Sequence, residues 1–149
     1  ALCCEGFQRA KVREEHLHLL ACPETGRRLH LKDAKGDGHG DIVAGLLCEP
    51  ESGNEYPIAN HIPRFGLLGS YADSFGSQWK AHARTQHDAY SGVDVSGNRF
   101  RQETKWGLGL DGEVILEAGS GAGRFTPHAL STGAMVVSFD CSTAVESHY

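Results

Sequence analysis

The chain lacks any apolar run near the roughly 20 residues needed to cross a bilayer, which excludes a transmembrane helix. Its first residues, Ala1 to Gly6, lack the basic-then-apolar pattern of a secretory signal. Positive charge is scarce: 14 Lys and Arg stand against 19 Asp and Glu, a net charge of −5. That excludes a strong, non-specific nucleic-acid binder, because neutralising phosphates takes a surplus of cations. The nine histidines are scattered, with no HExxH or comparable ligand spacing. Methionine occurs once, at Met135, and the chain begins on alanine, so a fragment or processed chain is expected. The five cysteines, at 3, 4, 22, 48 and 141, form no regular framework. An odd count without a signal fits a reducing cytoplasm. Internal repeats and low-complexity tracts are also missing. What remains is the balance of a soluble globular protein, 40% hydrophobic and 22% charged. Its 149 residues suffice for one ordinary domain, or a small domain plus part of another.

Three segments differ in character. In the first, VREEHLHLL puts Val12, His16, Leu19 and Leu20 near one face of a short helix, which Cys22-Pro23 ends. Arg28 to Leu31 alternates like a strand, and Asp33 to Asp41 is a turn by its glycines and charges. Ile42 to Cys48 reads as a buried strand, Glu49 to Asn54 as a turn, and Tyr56 to Ile62 as extended chain. This β-rich module, residues 15–66, is near the size where a core alone is marginal. Residues 67–111 read as a helical connector. Ser70 to Ala89 carries Tyr71, Phe75, Trp79, His82 and Ala83 at helical steps. Tyr90 to Asn98 reads as loop, and Arg99 to Lys105 as helix. In residues 112–149 a strand (Val114-Ile115-Leu116, expected to be covered on both faces) meets a glycine turn. A helix from about Arg124 to Leu130 and a second strand from Met135 to Phe139 follow. The fold class expected is α/β, one βαβ unit of a parallel sheet.

The turn Glu117-Ala118-Gly119-Ser120-Gly121-Ala122-Gly123 sets three glycines at alternate positions between strand and helix. Glycine permits positive φ and close approach of a ligand, and the helix behind offers unpaired N–H groups. Asp140 ends the next strand, 19 residues after Gly121, where a carboxylate can accept both hydroxyls of a ribose. A dinucleotide fingerprint fails, because its third small position is Arg124, and a Walker A loop is absent. The acid two residues before three alternating glycines resembles the first motif of class I S-adenosylmethionine-dependent methyltransferases. The resemblance implies a Rossmann-like methyltransferase sheet, of which this chain holds the first part. It implies S-adenosyl-L-methionine as cofactor, with Glu117, Ala118, Gly119, Ser120, Gly121 and Gly123 around its methionine end. Asp140 would hold the ribose, and Cys141 and Ser142 would flank the adenine. Ser120 is expected to touch the cofactor through backbone only. Acceptor and catalytic residues are expected on later strands, so the chain alone should bind cofactor weakly and turn nothing over.

The first module, through Leu19-Leu20-Ala21-Cys22-Pro23, Gly26, Leu29, Leu47-Cys48, Tyr56-Pro57-Ile58 and Ile62-Pro63, resembles a zinc-ribbon-like family. That family includes an activator of transfer-RNA and protein methyltransferases, and in bacteria the module commonly precedes a methyltransferase domain. Zinc-binding members supply two cysteines per knuckle. Here one per knuckle is expected, Cys22 and Cys48, with Thr25 and Glu51 or Ser52 nearby, so no metal is expected. Two rival functions remain at this level: a non-catalytic module that activates a partner methyltransferase, and a NAD-linked oxidoreductase fragment.

Overall fold

The computed structural model describes residues 2–3, 11–66, 88 and 92–148. The aromatic helix expected over Ser70 to Ala89 lies outside these, apart from Asp88. Strands and helices are mixed, and the chain divides into two compact units, with the described residues 11–66 in one and 88 and 92–148 in the other.

A two-residue strand, β1 (Leu2–Cys3), is followed by the first unit's antiparallel sheet of β2 (His30–Gly36), β3 (Ile42–Cys48), β4 (Glu55–Ala59) and β5 (Ile62–Pro63), in that order. The central β3 matches the strand expected from its apolar run, and Leu47, opposite Leu31 and Tyr56, is fully buried. Val12, Cys22, Leu29, Ile58 and Ile62 of the same unit are also buried.

Three local expectations are corrected here. The segment after Val12 is a 3-10 helix, Glu14–Leu19, with Leu17 turned inward and Leu19 exposed. Val12 cannot join it, because its backbone is paired with His61 and Ile42. The turn expected over Asp33 to Asp41 is strand in its first part: β2 runs to Gly36 through an irregularity after Lys32, and only Asp37 to Gly40 turns. Its solvent-facing edge position makes its composition polar, which is what disguised it. Finally, Tyr56 to Ile62 is not continuous. Asn60 and His61, at φ 50° and 65°, make the two-residue hairpin turn that returns β5 onto β4.

The Asp37 turn anchors the residues before the 3-10 helix. Lys11 Nζ meets Asp37 Oδ2 at 3.0 Å and Asp41 Oδ2 at 2.7 Å, and Arg13 Nε donates to Asp41 Oδ1 at 2.8 Å. Burial pushes the Asp41 carboxyl up, but the bonds from Lys11 and Arg13 outweigh it and hold the group below its usual range. A depressed carboxylate contributes stability above its unfolded pKa, about 3.9, and loses it as pH falls through the folded value. Asp41→Asn should therefore cost about 1–2 kcal/mol at pH 7, below the range for fully buried pairs because both cations keep water contact. Urea midpoints of the variant should also fall less between pH 5 and pH 3 than those of the parent.

Two turns of this unit are built alike. At Cys22, its N–H bonds to Arg27 O and its O accepts Gly26 N–H, both at 2.8 Å. At Glu49, its N–H bonds to Asn54 O and its O accepts Gly53 N–H, both at 2.9 Å. Gly26 and Gly53 take φ 68° and 75°, so Cys22-Pro-Glu-Thr25-Gly and Glu49-Pro-Glu-Ser52-Gly correspond residue for residue in sequence and backbone bonding. The partner of Cys22 is thus Glu49, not Cys48, which lies one residue earlier on β3 and donates to Glu55 Oε1 at 3.6 Å.

The second unit carries α1 (Val95–Thr104), β6 (Val114–Ala118), α2 (Thr126–Leu130), β7 (Met135–Phe139) and a closing 3-10 helix, Thr143–His148. β6 and β7 are parallel, Val114 opposite Met135 through Ala118 opposite Phe139, with β1 on the other side of β7. α1 starts inside the stretch read as loop. Gly97 looks like a breaker, yet a Cβ there would run into the Asp94 carboxylate at the start of α1 and come within 2.9 Å of the His128 ring of α2, so both neighbours use the missing side chain. α2 begins at Thr126 rather than Arg124, with Pro127 in its first turn. Ile115, Ala129, Ala134 and Val136 form the core, packed by Phe100, Leu110 and Leu130. Two-sided covering of β6 is not found among the described residues. Ile115 is buried, whereas Val114 and Leu116 are 50% and 66% exposed, because the described helices pack on one side only. No helix among the described residues is long and apolar enough to cross a membrane.

Candidate functional site

The glycine turn sits at the carboxyl end of β6, and Gly119, Gly121 and Gly123 take φ 68°, 55° and 83°. All three lie where an L side chain is strained, so their alternate spacing is a backbone requirement. The turn is tied to the end of β7: Phe139 O accepts the N–H groups of Gly119 (2.8 Å) and Ser120 (3.1 Å). Asp140 Oδ2 accepts the Gly121 N–H at 2.8 Å, while Oδ1 accepts the Ser142 N–H at 2.7 Å and the Ser142 hydroxyl. Gly123 N–H closes onto Ser120 O. These turn amides are therefore spent inside the chain, and α2, with five residues, is too short to present the helix N-terminus expected there. Contacts to a ligand must come from side chains and from the open glycine surfaces, where no atom lies within 4 Å of a Cβ built at Gly119 or Gly121.

Glu117 Oε2 accepts the hydroxyls of Thr126 and Ser138, each at 2.6 Å. One oxygen thus ties β6 to β7 and α2, which aims the carboxylate along the strand end. Beside it opens a cavity of about 320 Å³. Glu117, Ala118, Gly119 and Ser120 form one wall, and Ser120, buried, has a hydroxyl without a hydrogen-bond partner among the described residues. The facing wall was not legible as a site: Arg99, Phe100 and Glu103 of α1, and Trp106 after it. Phe100 and Trp106 meet edge to face at 5.9 Å. The only signal these residues carry is the i, i+4 spacing of Arg99 and Glu103, which most surface helices share. Phe125 also lines the cavity. Gly121, Gly123, Asp140, exposed Cys141 and Ser142 do not; they form the adjoining ledge at the end of β7.

Arg124 reaches back to donate from Nε to the buried Ser96 hydroxyl at 2.9 Å, locking the turn to α1. Asp88 accepts the Ser96 and Gly97 N–H groups at 3.0 and 2.8 Å and lies 3.3 Å from His128 Nε2. Burial pushes its carboxyl up, but those amides outweigh this and hold it well below the usual range. With Asp94 these residues make the one grouping of three potential metal ligands among the described residues. Its visible work is to satisfy the start of α1, and its spacing in sequence matches no motif.

In the first unit, Cys22 is buried. Its Sγ is bonded to Tyr56 Oη at 3.2 Å and accepts from Asn54 Nδ2 at 3.6 Å. Burial pushes this thiol up, yet bonds from Thr25, Tyr56 and Asn54 bring it down to about 6. Comparison with known proteins finds no matching family model, no matching curated protein and no matching solved structure.

Proposed function

We propose that the second unit is the start of a Rossmann-like domain of an S-adenosylmethionine-dependent methyltransferase, and that the ledge and cavity beside the glycine turn bind the cofactor. One observation carries the reading. Two carboxylates, Glu117 and Asp140, close adjacent parallel strands and are joined by a turn whose three glycines all take positive φ. Ligands of open α/β sheets bind at such carboxyl ends. The residues fit the group: Asp140 ends the second strand, where a carboxylate can meet a ribose, and Ser120 offers a buried hydroxyl with no partner among the described residues. The cavity lies at the bottom of the usual range of about 300–1,000 Å³ for ligand pockets, so it takes one end of the cofactor and not all of it. Arg99 and Glu103, which line it with Glu117, suit the zwitterionic amino-acid end. When bound, the cofactor supplies a sulfonium methyl for in-line attack by an acceptor nucleophile. The chain's part is to hold and align. The methyl acceptor stays open.

Calorimetry with S-adenosylhomocysteine and with NAD tests this. Binding of the first and not the second is expected, and NAD binding, or neither, overturns the proposal. Against NAD stands Arg124, too large for the third fingerprint position and already committed to Ser96. Arg99→Met should weaken S-adenosylhomocysteine binding about tenfold, the worth of one charge-assisted hydrogen bond. Binding of 5′-methylthioadenosine, which lacks the amino-acid end, should not change. Equal losses for both ligands would remove Arg99 from that role. We read the first unit as a zinc-ribbon-like module without metal, in a cytoplasmic protein.

A further inference from the structure

Zinc is what a ribbon-like module implies, and the residues of this one do not fit it. A structural zinc takes four nitrogen or sulfur ligands, commonly as two Cys-x-x-Cys pairs. The two equivalent turns put that spacing at Cys22 and Thr25 and again at Glu49 and Ser52, which supplies one sulfur among four positions. Both anionic positions are already satisfied. Glu49, almost wholly buried, accepts the N–H groups of Glu51 and Ser52, each at 2.9 Å. Cys22 holds Tyr56 and Asn54. Asn54 bridges the two turns directly: its O accepts the Glu49 N–H, and its Nδ2 donates to Cys22 Sγ and to Glu24 Oε2. Arg27 adds a second bridge, to Glu51 at 2.6 Å.

We propose that Cys22, Thr25, Glu49 and Ser52 stand at the four positions of a metal site that hydrogen bonds within the chain have replaced. Cys48 is no part of it. On this inference the turns are held by Asn54, Tyr56 and Arg27 in place of an ion, and the backbone still presents the four-ligand arrangement. The unit folds without metal and regains metal binding when sulfur is restored at the three substituted positions.

The test uses the full chain with Cys3→Ser, Cys4→Ser and Cys141→Ser, so that only the sulfurs in question remain. In this background Thr25→Cys/Glu49→Cys/Ser52→Cys is titrated with Co²⁺ alone. One ion per chain with the visible spectrum of a tetrahedral thiolate site is expected, at least about 100-fold tighter than the unsubstituted background. Thr25→Cys/Glu51→Cys pairs its new sulfurs with Cys22 and Cys48 and should give no such spectrum. Amide exchange of β2 to β4 reports folding throughout. If the triple variant unfolds without metal, cobalt must restore that protection. The inference is overturned if the background itself forms the cobalt site, if the triple variant stays folded and binds nothing, if cobalt fails to refold an unfolded one, or if the Cys48-based pair binds as well.

Discussion

Leu47→Ala is expected to remove about 3 kcal/mol from the stability of the first unit, a middling value for a large-to-small change in a packed core. Leu47 has no exposed surface and sits on the central strand between Leu31 and Tyr56. A cavity there is walled by strands on both sides, and strands paired along their length cannot shift inward to fill it. A core of this size supplies only a few kcal/mol of net stability, so the loss is a large part of the whole. Hydrogen exchange on the full chain reads it out. Protection in β2 to β4 should collapse, while β6 and β7, in the other unit, keep theirs. A loss under about 1 kcal/mol would mean that the site relaxes around the truncation.

Asp140→Ala should lower the affinity for S-adenosylhomocysteine by at least about tenfold. A ribose hydroxyl on this carboxylate is a hydrogen bond to a charged group, about 1.5–3 kcal/mol, and each 1.4 kcal/mol is tenfold. The same carboxylate also receives Gly121 and Ser142, so the loss could come from a loosened turn. The two causes separate with competitors. If the ribose contact is lost, the preference of the parent chain for adenosine over 2′,3′-dideoxyadenosine disappears in the variant. If the turn alone has loosened, the preference persists at lower affinity. A drop of less than about fivefold would take Asp140 out of the ribose site.

Much of the local geometry was legible because it is a local demand. Three alternate glycines between strand and helix permit three positive φ values, and all three are taken; the apolar runs at Ile42 to Cys48 and Met135 to Phe139 became strands. Where the reading failed, distance along the chain was the cause. β2 is polar because it is an edge, and that is decided by what pairs beyond it. Gly97 sits inside α1, where a Cβ would meet Asp94 at the start of the same helix and His128, far along the chain. Cys48 looked like the second knuckle until backbone bonds around Glu49 matched those around Cys22.

The glycine turn and the spacing of its two acids were therefore determined by the amino-acid sequence alone, since spacing and the freedom to take positive φ belong to the residues themselves. Only the tertiary structure decided what faces that turn. Arg99, Phe100, Glu103 and Trp106 reach it because α1 packs on α2 through Gly97. Such burial between segments distant in sequence is driven by apolar surface and long-range hydrogen bonds, which no local pattern encodes.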